Sequence, residues 1–249
     1  MSKGTIVITG ASSGLGEEMA RQFAALGYDL GLCARRTDRL AALRSEILET
    51  HPDRRIEIAA LDVTDDDAVH SVFEEFRASF GSLDRVIVNA GSGVGAALGT
   101  GGNAANRRTA MTNFVGALSQ SEYALSIFRA QGRGHLVLIS SFSAVRGMRR
   151  SMTTYAASKA GVAALAEGLR SERIPGVDVS LICPGYIRSE MNAAAADRTK
   201  FMVDTEPGVA AMVRAIESRK STAYVPSWPW VPLAVAMKLL PLSIVRKLT

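Results

Sequence analysis

Short apolar runs alternate along this chain with longer stretches whose apolar residues recur every three or four positions. The first run, Thr5-Ile6-Val7-Ile8, is rich in β-branched residues, and Met19, Phe23 and Leu26 follow it at helical spacing. Tyr28 to Cys33 reads as a second strand. Leu40, Leu43, Ile47 and Leu48 mark a helix that stops before His51-Pro52. Ile56, Ile58, Ala60 and Leu61 make a third strand, and Thr64 or Asp65 can cap the helix carrying Val69, Val72, Phe73 and Phe76. Asp84 to Val88 is a fourth strand, followed by a glycine-rich loop from Gly91 to Gly102 and a long helical segment over about 104–130. His135 to Ile139 is a fifth strand, and a helix runs from Tyr155 through Leu169. Val177, Val179, Leu181 and Ile182 form a sixth strand, stopped by Pro184-Gly185. Pro207 fits a helix start, with a stripe at Val209, Met212, Val213 and Ile216, and Thr222 to Val225 is a last strand.

Strand and helix alternating without a break in composition call for one parallel sheet, covered on both faces through right-handed crossovers. The expected class is α/β: a doubly wound, Rossmann-type sheet of about seven strands in a single domain. Residues 1–227 would form it, with a cofactor half over about 1–130 and a catalytic half over about 131–227, leaving an apolar tail at 228–249. Hydrophobic residues make up 47% of the 249, which supports a core of that size. The net charge of +5 comes without a long run of Lys or Arg, so nucleic-acid binding is not suggested. Cys33 and Cys183 sit in apolar strands and read as core residues, and His51, His70 and His135 lack ligand spacing, so no metal is expected. The chain enters a strand at once with no signal-peptide-like apolar region, and the expectation is a cytoplasmic protein.

The turn Gly10-Ala11-Ser12-Ser13-Gly14-Leu15-Gly16 joins the first strand to the first helix. Its glycines suit a backbone that approaches a ligand closely, and the helix N-terminus favours a pyrophosphate. About 20 residues on, the second strand ends in Ala34-Arg35-Arg36. An acid at this place would hydrogen-bond a ribose 2′-hydroxyl; arginine's planar fork accommodates a 2′-phosphate instead. Arg35 and Arg36 therefore point to NADP(H), against the plainer reading that they open a solvated helix with Asp38 and Arg39.

Tyr155 and Lys159 are four residues apart on one helix face. A free tyrosine has a pKa of about 10, and a neighbouring ammonium favours its phenolate. The pair fits a general acid/base that exchanges a proton with a carbonyl or hydroxyl oxygen, with Lys159 also able to donate to a ribose. Ser141, at the end of the neighbouring strand, can hydrogen-bond that oxygen; Ser143 is the alternative, and Ser140 would face the cofactor or satisfy backbone.

In this order the motifs resemble those of the short-chain dehydrogenase/reductase family over about residues 4–225. The resemblance rests on Thr9-Gly10-x-x-x-Gly14-x-Gly16, Asp62-Val63, Asn89-Ala90-Gly91, Asn113, Ser140-Ser141, Tyr155-x-x-x-Lys159 and Pro184-Gly185. It implies that Asp62 and Val63 contact adenine, and that Asn89, Ala90 and Gly91 shape the cofactor wall and steady the first turn. It implies that Asn113 holds a water relaying protons to Lys159; from the residue alone, Asn113 would satisfy backbone at a kink. Ile187 and Ser189 match the positions after Pro184-Gly185 that hold the nicotinamide carboxamide. Ser141 lies 14 residues before Tyr155, about one more than is usual in the family. Dimers or tetramers built on the helices near 104–130 and 153–171 are also implied.

The expected function is an NADP(H)-dependent oxidoreductase acting on a carbonyl or secondary alcohol. A 3-oxoacyl thioester reductase and a non-catalytic NADP(H) sensor are the alternatives. The substrate walls would come from Ser92 to Ala97, Phe142 to Met148 and Tyr186 to Met202, with Gly185 to Glu206 as a lid. Arg146, Arg149 and Arg150 would favour an anionic substrate or form a solvated loop. The tail, from Trp228-Pro229-Trp230 onward, is too short and too broken by proline to cross a membrane. It would cover a neighbouring subunit, close the pocket or lie on a membrane surface, the first being preferred.

Overall fold

In a computed structural model, residues 2–193 and 201–248 are described. The strands are β1 (Thr5–Thr9), β2 (Asp29–Ala34), β3 (Ile56–Ala60), β4 (Arg85–Val88), β5 (Gly134–Ile139), β6 (Val177–Pro184) and β7 (Thr222–Val225). All pair in parallel in the order β3-β2-β1-β4-β5-β6-β7. The order reverses direction between β1 and β4, so a crevice opens beyond the carboxyl ends of those two strands.

Side-chain alternation divides each strand between two cores. On one face Ile6, Ile8, Leu30 and Leu32 meet Met19 and Phe23 of α1 (Gly14–Ala25), Leu43 and Ile47 of α2 (Thr37–Thr50), and Met212 and Ile216 of α7 (Thr205–Glu217). On the other, Val7, Val86 and Val88 meet Phe73 and Phe76 of α3 (Asp66–Phe80), Phe128 of α5 (Gly116–Gln131) and Val162 of α6 (Met152–Ser171). Of the two caps open for α3, Asp65 is the one used, accepting from Ala68 N at 3.0 Å.

Two elements differ from the linear reading. The long segment expected over 104–130 is α4 (Asn103–Ala110) and α5 joined by a π-helical turn, Met111–Val115, with Asn113 inside it. One wide turn of this kind shifts the helix register and aims a side chain away from the stripe its neighbours follow. The tail is two helices, α8 (Ser227–Leu239) and α9 (Leu242–Leu248). They form a third apolar cluster in which Trp230, Ala234, Met237 and Val245 pack on Phe142. Part of the lid expected over Gly185 to Glu206, residues 194–200, lies outside the described residues.

Candidate active site

The crevice is lined by most of the residues singled out above. Gly10, Ser12, Ser13, Gly14, Leu15 and Gly16 supply one wall, with Ser189 against Gly14, Arg35, Arg36, Asp62 and Val63 the outer end, Asn89, Ala90 and Gly91 the floor, and Tyr155 and Lys159 the inner end. Gly10 and Gly14 have φ of +66° and +57°, which a side chain would strain. A Cβ on Gly16 would collide with the Gly10 carbonyl, so α1 starts tight against the turn. Ser13 ends the turn in an extended conformation and makes no side-chain cap, leaving the first N–H groups of α1 available to an anion.

The turn is held from β4. Thr9 Oγ1 accepts from Asn89 N and Ala90 N, each at 3.1 Å, while Asn89 Nδ2 donates to Thr9 O at 2.9 Å. Arg36 lies across the turn, its Nη2 donating to Ser13 Oγ at 2.7 Å and its Nε to Ser12 Oγ at 3.3 Å. Its Nη1 is 3.2 Å from Glu190, which also pairs with Arg39. These two cations hold the Glu190 carboxyl below its usual range, Arg39 contributing most. Arg35 is 73% exposed, and its ion-pair partner among the described residues is Asp62, at 3.9 Å. The Asp62 carboxyl is also shifted down, chiefly by the Thr64 backbone N–H.

At the inner end, Tyr155 and Lys159 share the face of α6 that fronts the crevice. Lys159 is buried, and Nζ donates to Ile139 O at 2.8 Å. Burial lowers its pKa to about 8, offset in part by Cys183. The Tyr155 phenol is shifted up by burial, opposed by its hydrogen bond with Ser141. This departs from the expected lowering by Lys159: the ammonium is turned onto a strand carbonyl, and Ser141 is the group that favours the phenolate. Ser141 caps a short 3-10 turn, Phe142–Val145, accepting from Ser143 N at 3.1 Å. Ser140 Oγ donates to Lys159 O at 2.8 Å, the backbone role foreseen for it, and locks β5 to α6.

Asn113 Oδ1 accepts from Ser92 N at 2.7 Å, and its Nδ2 donates to Ser92 O at 2.9 Å and to Ser158 Oγ at 3.2 Å. The side chain thus ties the loop after Gly91 to α6, instead of serving its own helix. Gly91 lies between this amide and Lys159: a Cβ there would be 3.4 Å from Asn113 Oδ1 and 3.6 Å from Lys159 Nζ. Pro184, Gly185 and Ile187 stand behind the crevice wall. Pro184 ends β6, Ile187 is buried against Gly208 of α7, and Gly185 sits under the Trp230 ring, where any Cβ would collide. Phe142 and Tyr186 flank that ring at centroid distances of 4.7 and 5.2 Å. Arg146 and Arg149 donate to the carbonyls of Lys238 and Arg246, at 3.2 and 3.0 Å, so they hold the tail.

Arg39 and Thr112 were not foreseen at the site, while Glu190 and Trp230 lay within the stretches expected as lid and tail without a role of their own. Glu190 and Arg36 are 154 positions apart, and no linear spacing signals such a pair.

A doubly wound sheet with a glycine turn at its reversal point defines a nucleotide-binding α/β protein. The short chain dehydrogenase family model matches residues 4–200, and the chain belongs to that family of oxidoreductases. An uncharacterised oxidoreductase of Mycobacterium tuberculosis is 52% identical over 243 residues, covering 97% of this chain and 96% of that one. Levodione reductase is similar in structure, with a TM-score of 0.80 and 26% identity over 90% of this chain and 95% of that one. A short-chain dehydrogenase/reductase from Burkholderia phymatum, solved with NAD, shares the fold at a TM-score of 0.85 and 21% identity, covering 99% of this chain and 95% of that one.

Proposed function

We propose that the chain is an NADP(H)-dependent reductase or dehydrogenase acting on a ketone, aldehyde or secondary alcohol. The observation that carries this is the joint placement, in one crevice, of the glycine turn with Arg36 at one end and Tyr155 with Lys159 at the other. The residues fit a dinucleotide: the α1 N–H groups face a pyrophosphate, side chains are absent at the turn glycines, and Arg36 offers its guanidinium to a 2′-phosphate. When bound, the nicotinamide exchanges a hydride with the substrate carbon. Tyr155 Oη supplies the proton to the carbonyl oxygen in reduction and takes it back in oxidation. The Ser141 hydroxyl orients that oxygen and favours the phenolate, and Lys159 hydrogen-bonds a ribose. Asn113, fixed through Ser92 and Ser158, keeps the loop and α6 together and anchors a proton-relaying water.

Arg146 and Arg149, bound to the tail carbonyls, lend no support to an anionic thioester substrate. Assembly as a dimer or tetramer on α5 and α6, and a cytoplasmic location, complete the reading. NADPH and NADH are titrated against the protein by cofactor fluorescence, beside Arg35→Ala and Arg36→Ala. Preference for NADPH that falls mainly in Arg36→Ala is expected, because Arg36 reaches the turn and Arg35 does not. Preference for NADH in the unaltered protein would overturn the cofactor assignment. Tyr155→Phe should retain binding and lose turnover; unchanged turnover would overturn the acid/base role.

A further inference from the structure

α8 is apolar on two opposed faces. Trp230, Ala234 and Met237 are buried against the domain. Val231, Val235 and Leu239 follow each other at spacings of four, a stripe on the other side of the helix, and Trp228, whose own backbone is extended, stands exposed just before it. Trp228 is 78% exposed, Val235 55% and Leu239 80%, and Leu242 and Ile244 of α9 extend the exposed surface. An apolar helix is stable when both faces are covered, and a contiguous exposed patch of this kind marks a docking surface.

Charge identifies what covers it. From Thr222 to Thr249 the sequence contains Lys238, Arg246 and Lys247 and no acidic residue. The loop over 142–151 adds Arg146, Arg149 and Arg150, again with no acid, and the bonds of Arg146 and Arg149 to the Lys238 and Arg246 carbonyls place these two guanidiniums beside the helices. A second copy related by a two-fold axis would bring the same patch against itself, cation belt to cation belt. That arrangement is electrostatically unfavourable, and this favours another occupant over the neighbouring subunit expected for the tail. An apolar stripe with an exposed tryptophan, on segments that carry only basic charges, matches an anionic lipid surface. No helix among the described residues is long and apolar enough to cross a membrane, and α8 has 13 residues, so the fit is to a helix lying in the interface.

We propose that the outer face of α8 and α9 docks this protein on anionic membranes, with Trp228, Val235 and Leu239 inserted among the lipids and Lys238, Arg246 and the 146–150 arginines at the headgroups. The inner face of the same helix carries Trp230 against Phe142 and Tyr186, so docking sets this aromatic cluster next to the bilayer.

The test is flotation of the full chain with vesicles of phosphatidylcholine alone and of phosphatidylcholine with phosphatidylglycerol, at low and high salt, beside Val235→Asp/Leu239→Asp. Both substituted positions are exposed, and an unchanged melting temperature verifies that the variant folds. Flotation with the anionic vesicles only, weakened by salt and reduced roughly tenfold or more in the variant, is expected. Absence of binding, equal binding to neutral vesicles, or binding indifferent to the two aspartates would overturn the proposal. So would a fall in solution mass of the variant by light scattering, which would make this face a contact between copies.

Discussion

Acidification should unfold this protein through one buried ring. His135 is fully buried on β5, its Nδ1 accepting from Arg85 Nε at 3.0 Å and its Nε2 2.8 Å from Ser180 Oγ. Arg85 in turn pairs with Glu217 of α7 at 2.6 Å. A donor already fills Nδ1, so the imidazole is neutral with its proton on Nε2, and a second proton would set N–H against N–H. Burial, with Arg85 and Arg219 nearby and Asp178 opposing them, pulls the His135 pKa from 6.5 down to about 3. The folded pKa is the depressed one, so the unfolded chain takes the proton first. The stabilisation is therefore complete above 6.5 and is lost as pH falls from there toward about 3. Between about pH 7.5 and about pH 5 the linkage amounts to about 2 kcal/mol, the full proton-uptake difference acting over about one and a half units of that span. Urea unfolding at the two pH values, at one protein concentration, measures it. His135→Gln retains an acceptor and a donor but does not titrate, and should lose about 2 kcal/mol less over the same interval. Equal losses in the two proteins would refute the reasoning.

Two further substitutions test the crevice. Asn89→Ala removes the amide that donates to Thr9 O and should cost about 0.5–1.5 kcal/mol. A fall of a few degrees in the calorimetric melting temperature checks it; no change would show that Thr9 Oγ1 alone holds the turn. Glu190→Gln removes the carboxylate that Arg36 and Arg39 share. NADPH should then bind a few-fold more tightly with NADH unaffected, a modest effect because the pair is exposed. Weaker binding of both cofactors, read by the same fluorescence titration, would instead make Glu190 a clamp over the crevice.

The expected strands and helices stand close to their observed positions because each is a local pattern. A strand buried on both faces reads as a continuous apolar run, and helices packed on a sheet read as stripes. The glycine turn and the Tyr155–Lys159 pair are legible for the same reason: each needs fixed residue types within one strand–turn–helix or one helical turn. Asn113 was visible as a residue, but its partner Ser92 was not, since a π-helical turn sets the direction of its side chain. The loop arginines 146 and 149 illustrate the limit. Their sequence suggests a solvated loop or an anion site, and only the return of the chain through α8 and α9 shows that they bind helix carbonyls.

The sequence by itself determined the α/β alternation, the strand buried on both faces, the phosphate-suited turn and the spacing of the acid/base pair, because these depend on neighbours within a few residues. Tertiary structure decided which charges meet and which faces stay open. Glu190 reaches Arg36 and Arg39 across the crevice, Lys159 turns to Ile139 O, and Trp230 covers Gly185 while Trp228 remains exposed. Each of these depends on where distant segments are brought by the packing of helices on the sheet. Burial, which sets the pKa shifts of His135 and Lys159, arises only once those layers have closed.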